Sequence, residues 1–166
     1  FKKLYQDRIL PVLKNISQTA KEKNEKAIVS FPGLGCGQFC DDEIFNPVAL
    51  TNEFESVLIE IIEENKKDLD GIGAIYFKHF DKENKFGENV TKTIESGKNK
   101  IFFLGEKANY NETGIAPFSP PETYINLLTA NGMITDGAKY SVNITFAADP
   151  LALSGNDYLD NYRITD

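Results

Sequence analysis

The sequence predicts an α/β fold, and three observations carry the prediction. Apolar runs rich in β-branched and aromatic residues alternate with amphipathic stretches of helical period. Residues 27–80 read as a complete strand–helix–strand unit. The composition, 41% hydrophobic and 26% charged, is that of a chain that packs a core and keeps a polar surface. At 166 residues the chain has the size of one ordinary domain, long enough to bury about two thirds of its unfolded surface without disulfide or metal support. A single domain over residues 1–166 is expected. With no initiator methionine and a final Arg-Ile-Thr-Asp that reads as the start of another helix, it is expected to be a fragment of a longer chain.

The elements follow in order. Over residues 4–23 Leu4, Ile9, Leu10, Val12, Leu13 and Ile16 recur at helical spacing, and Pro11 predicts either a kink or a helix start within residues 8–11. Residues 27–31 (Ala-Ile-Val-Ser-Phe) read as a strand. A second helix runs to about residue 66 behind a cap at Thr51 or Asn52, with Asn52 and Glu55 at capping-box spacing and Phe54, Val57, Leu58, Ile61 and Ile62 as its apolar stripe. Residues 72–80 read as a strand parallel to the first, since a strand–helix–strand crossover makes them so. Residues 81–99 are polar, with a short helix expected near 89–95, then a strand over 100–104 and a loop over 110–121. A helix over 121–129 ends near Asn131-Gly132, and a last strand covers about 139–147. No repeat or low-complexity tract is present.

The first strand empties directly into Phe31-Pro32-Gly33-Leu34-Gly35-Cys36-Gly37-Gln38-Phe39. Gly33, Gly35 and Gly37 let a ligand approach the backbone more closely than a Cβ would allow, and successive N–H groups can form an anion-binding nest. The connection of about nineteen residues far exceeds the usual 2–6 between strand and helix, and long connections tend to be functional. A tight structural turn is the plain alternative reading of the same glycines.

Charge excludes several function classes. With 25 acidic and 18 basic residues, a net charge of −7 and a pI near 4.8, the chain lacks the basic surface that nucleic-acid backbones require. An acidic protein that binds phosphate does so locally, through backbone dipoles or a helix N-terminus. No apolar run approaches the ~18 residues of a membrane span. Cys36, Cys40 and the one histidine, His79, are too few for a zinc cluster or a disulfide framework. No metal or cofactor is expected, and two cysteines fit a reducing, cytoplasmic setting.

The run from the first helix through AIVSFPGLGCGQF to AIYFKHF resembles the C-terminal half of macrodomains, the ADP-ribose-binding α/β fold, and its Gly35-Cys36-Gly37 core is similar to poly(ADP-ribose) glycohydrolases. The final ADPLALSGNDYLDNYRITD resembles atypical macrodomains of bacterial effectors, notably those of Legionella that remove ADP-ribose from host proteins. The resemblance implies a three-layer fold, a mixed sheet with flanking helices. It implies that Gly33, Leu34, Gly35, Cys36, Gly37, Gln38 and Phe39 hold the ligand diphosphate, and that Asp149, Asp157 and Asp166 face the ligand. It also implies an ADP-ribosylated protein as substrate and secretion into a host cytoplasm. The chain departs from the family in lacking both an NAAN segment feeding a GGG loop and the glycohydrolase GGG-x-QEE signature.

Hydrolysis at the anomeric carbon of ADP-ribose needs a held diphosphate and a carboxylate that activates water or stabilises an oxocarbenium-like transition state. Asp157, between Asn156 and Tyr158, is the first candidate and Asp149 the second; Asn156 can bond a ribose hydroxyl. Asp-Pro and Asn-Asp are also ordinary turn chemistry. Two other functions stay open: a reader that binds ADP-ribose without turnover, and a cysteine hydrolase pairing Cys36 with His79. The nucleophile-elbow pattern would require glycine where Leu34 and Gln38 stand. Phe39 is a stacking candidate after the loop, Phe77 reads as core, and His79 as an ordinary polar residue at a strand end.

Overall fold

The computed structural model describes residues 2–32, 46–79, 88–107, 119–134 and 139–145. In chain order they form α1 (Lys2–Glu22), β1 (Lys26–Pro32), α2 (Pro47–Asn65), β2 (Ile72–Lys78), β3 (Val90–Ser96), β4 (Asn99–Glu106), α3 (Pro121–Ala130) and β5 (Tyr140–Ile144). The strands make one mixed sheet in the order β3-β4-β2-β1-β5, in which β1, β2, β4 and β5 are parallel and only the edge strand β3 runs against its neighbour.

Period-2 alternation in the strands divides the core into two layers. Ala27, Val29 and Phe31 of β1, Ile75 and Phe77 of β2, and Ile101 and Phe103 of β4 pack with Leu13 of α1 and Phe54, Leu58 and Ile62 of α2. The intervening Ile28, Ala74, Tyr76 and Leu104 meet Tyr124 and Leu128 of α3. Helices on both faces are what a parallel sheet requires, because its crossovers run over both faces and bury the central strand completely. All seven residues of β2 are buried.

Several sequence expectations are corrected. α1 runs unbroken through Pro11, rather than starting there. Pro11 and the residue four before it, Asp7, are both exposed, so the carbonyl that loses its helical donor can face water. The cap of α2 is Asn46, not Thr51 or Asn52: its side-chain oxygen accepts from the Ala49 N–H at 3.1 Å, with Pro47 at the first helical position. Glu55 is therefore no capping-box residue but lies nine residues into a longer helix. The helix expected near 89–95 is the strand β3. Val90, Thr91, Thr93 and Ile94 are β-branched, and the pairing of Ser96 with Asn99 closes a tight hairpin in which Gly97 takes φ +63°.

Gly71 is fixed by a close approach. Its N–H donates to Ser17 Oγ at 3.0 Å, Ser17 Oγ donates to the Asp68 carbonyl at 3.1 Å, and a Cβ on Gly71 would stand 2.1 Å from the Ser17 carbonyl oxygen. This bolts α1 to the turn that leads into β2.

Candidate functional site

The chain leaves β1 towards β2 and β4 on one side, then returns to place β5 on the other side of β1. In open α/β sheets the crevice for a ligand lies beyond the carboxyl ends of the strands at such a reversal. Here it falls between β1 and β5, which pair in parallel from Lys26 with Tyr140 to Ser30 with Ile144. The two carboxyl ends are tied together: the Thr145 N–H and the Thr145 hydroxyl both donate to the Ser30 carbonyl, each at 2.9 Å. In a strand–helix–strand unit the helix returns antiparallel to its strands, so the N-terminus of α2, the positive end of its dipole, lies at this same end.

The carboxyl ends of β2 and β4, next along the sheet, carry buried charge on both faces. Facing α3, Lys78 and Glu106 are cross-strand partners, 2% and 4% exposed, with Lys78 Nζ donating to Glu106 Oε2 at 3.0 Å. The Tyr76 hydroxyl donates to the same oxygen, and the Tyr76 ring meets Tyr124 edge-on at 5.5 Å. Facing α2, His79 Nε2 lies 3.2 Å from Glu55 Oε1, and Lys107 Nζ lies 3.5 Å from Glu55 Oε2 and donates to Asn52 Oδ1 at 3.3 Å. The His79 ring stands edge-on to Phe77, at 4.7 Å between centroids. Tyr76, Lys78, His79 and Tyr124 make further interactions besides these.

Glu55 reaches the sheet only because residue 105 is glycine, since a Cβ there would stand 1.7 Å from Glu55 Oε1. A carboxylate buried this way is tolerated when opposite charge and hydrogen-bond donors meet it. The Lys107 ammonium supplies the opposite charge, and the His79 ring stands beside the other carboxylate oxygen.

The sequence-predicted site residues Gly33, Leu34, Gly35, Cys36, Gly37, Gln38, Phe39, Asp149, Asn156, Asp157 and Asp166 lie outside the described residues. The strands that lead into both groups are described, and they are neighbours. Phe77 takes the core place expected of it, fully buried and 5.3 Å from the Phe54 ring. His79 is not an ordinary strand-end residue but is 1% exposed. Sequence reasoning missed Glu55, Lys78, Glu106 and Lys107. A signal was present: the apolar runs AIYF and IFFLG both end in charged pairs, Lys78-His79 and Glu106-Lys107, where a strand meets the ligand end of a sheet. Among the described residues no group of His, Cys, Asp or Glu is placed to hold a metal ion.

A mostly parallel sheet covered on both faces, with a strand reversal at the root of a glycine-rich segment, makes a three-layer α/β domain of the kind that macrodomains share. The family model described as macrodomain effector MavL matches residues 1–166. The chain belongs to that family of macrodomain effectors. No curated protein matches it. No helix among the described residues is long and apolar enough to cross a membrane.

Proposed function

We propose that this domain binds ADP-ribose beyond the carboxyl ends of β1 and β5 and hydrolyses the bond that joins ADP-ribose to a modified protein, acting as a secreted bacterial effector in a host cytoplasm. The observation that carries the reading is the lateral pairing of β1 with β5. One strand leads into the glycine segment and the other into the Asp/Asn segment, so residues more than a hundred positions apart in sequence start from one edge of the crevice. Membership of a macrodomain effector family supports the ligand class.

In this reading the backbone of residues 33–39 holds the diphosphate and Phe39 stacks on the ligand. Asn156 bonds a ribose hydroxyl, and Asp149 and Asp166 face the ligand. Asp157 takes a proton from water as the water oxygen bonds to the anomeric carbon. The protein-side atom leaves with the electron pair of the broken bond and is protonated. No cofactor is needed.

Calorimetry with ADP-ribose tests the first step; absence of binding at millimolar ligand overturns the proposal. Release of ADP-ribose from an ADP-ribosylated protein tests the second. Asp157→Ala is expected to lower turnover at least a hundredfold, the usual worth of a positioned acid or base at ~10²–10⁴, while binding changes by less than tenfold. Binding with no turnover by the unmutated domain defines a reader, and loss of turnover in Cys36→Ser defines the cysteine enzyme.

A further inference from the structure

Among the described residues the sheet ends in two edges, and they are not alike. β3 carries Lys92 and Glu95, exposed charges of the kind that keeps a strand edge from taking up another strand. β5, Tyr-Ser-Val-Asn-Ile, carries none, and β1 is its one described neighbour. The bonds at the two ends of β5 fix which groups face outward. The Lys139 carbonyl accepts from the Lys26 N–H at 3.0 Å, and the Thr145 N–H donates to the Ser30 carbonyl at 2.9 Å. Residues 139, 141, 143 and 145 therefore turn their backbone groups to β1, and by period-2 alternation Tyr140, Val142 and Ile144 turn theirs away from it. The side chains of the same three residues pack, half-buried, against the layer under α3, while Ser141 and Asn143 take the other face of the strand.

We propose that the outer edge of β5 takes up β5 of a second copy of this chain, antiparallel and two-fold about Val142, so that two five-stranded sheets join into one. In that register the strand is its own complement. Val142 meets Val142 of the partner subunit, Tyr140 meets Ile144 of the partner subunit, and Ser141 meets Asn143 of the partner subunit. Apolar side chains thus continue one face across the two-fold axis and polar ones the other. The outward-facing residues pair only with one another, so each such pair exchanges both of its backbone hydrogen bonds. No like charges are brought opposite each other, because Lys139 falls opposite Thr145 of the partner subunit. The pairing also sets Tyr140 of the partner subunit beside Ile144, next to the tie between Thr145 and Ser30, and gives each crevice the other copy as a neighbour. None of this depends on the ligand assigned above.

The mass of the unmutated chain in solution, measured by light scattering from micromolar concentration to about 1 mM, is expected to rise from that of one chain to that of two. Over the same range hydrogen exchange at the Tyr140, Val142 and Ile144 amides should slow, while the Asn143 amide, turned to β1, is slow throughout. Val142→Pro removes an N–H that faces outward and spares the ladder with β1, so the variant should fold and stay a monomer at every concentration. A chain that remains monomeric at about 1 mM overturns the proposal, and if the three amides are slow in that monomer, another segment of the same chain covers the edge. A dimer in which those amides exchange at one rate at all concentrations, or which a folded Val142→Pro variant still forms, is held by a different surface and overturns it as well.

Discussion

Replacing Gly105 by alanine tests the account of the buried Glu55 cluster. The new Cβ would stand 1.7 Å from Glu55 Oε1, 2.9 Å from Glu55 Cδ and 3.3 Å from a ring carbon of Phe103. Contacts below 3 Å to a Cβ are not sustained, so the carboxylate must withdraw, and in doing so it leaves His79 at 3.2 Å and Lys107 at 3.5 Å. Breaking a buried ion pair costs about 3–5 kcal/mol, and Lys107, at the edge of the cluster, can recover some hydration, which favours the lower figure of about 3 kcal/mol. For a domain of this size that lowers Tm by about 6–12 °C. Urea unfolding, read from the midpoint at constant slope, measures it. The decisive comparison is Gly105→Ala in a Glu55→Ala background. With no carboxylate to displace, and no left-handed backbone at position 105, alanine meets only the Phe103 ring carbon at 3.3 Å, which must give by a few tenths of an ångström, so its effect should shrink to within about 1 kcal/mol of zero. A coupling of about 3 kcal/mol between the two sites is expected. An equal penalty in both backgrounds, or no penalty in the parent, refutes the reasoning.

Three other predictions concern stability. The Lys14 ammonium, 2.6 Å from Asp68, holds that carboxyl below its ordinary value of 3.8. The ion pair therefore supports the fold above that value, and its contribution is lost as pH falls through the lower folded-state value. In Lys14→Met the Asp68 carboxyl should titrate nearer 3.8, as carboxyl NMR will read, with little change in Tm near neutrality because both groups are largely exposed. In the layer under α3, Leu128→Ala should cost about 2–5 kcal/mol by thermal unfolding, since Leu128 is fully buried. Leu4→Ser on the outer face of α1, where Leu4 is 53% exposed, should stay within about 0.5 kcal/mol.

Most of the architecture was legible in the sequence because burial has a period. The stripe of α2, the alternation of β1 and the apolar run of β2 each declare their state within a few residues. What escaped was decided elsewhere in the chain. β3 reads as polar because Thr91, Lys92 and Thr93 are all exposed, and only its pairing with β4 makes it a strand. Pro11 reads as a break because local rules charge it for a missing hydrogen bond, while packing of Ile9 and Leu13 on either side keeps the helix continuous. Glu55 fits a capping box by spacing, yet the earlier Asn46-Pro47 supplies a cap and leaves Glu55 facing inward. Charged pairs ending apolar strands were visible, but nothing local says that Glu55 comes to meet His79.

The bonds from Thr145 to the Ser30 carbonyl join positions 115 apart in sequence. This gives the crevice a schedule as well as a shape. During synthesis, β1, α2 and β2 can pair as soon as they emerge, since their contacts are local, whereas the second wall waits for a strand made more than a hundred residues after β1. A nascent or truncated chain that ends before β5 lacks one side of its crevice, so the crevice closes only after the β1–α2–β2 unit has been made.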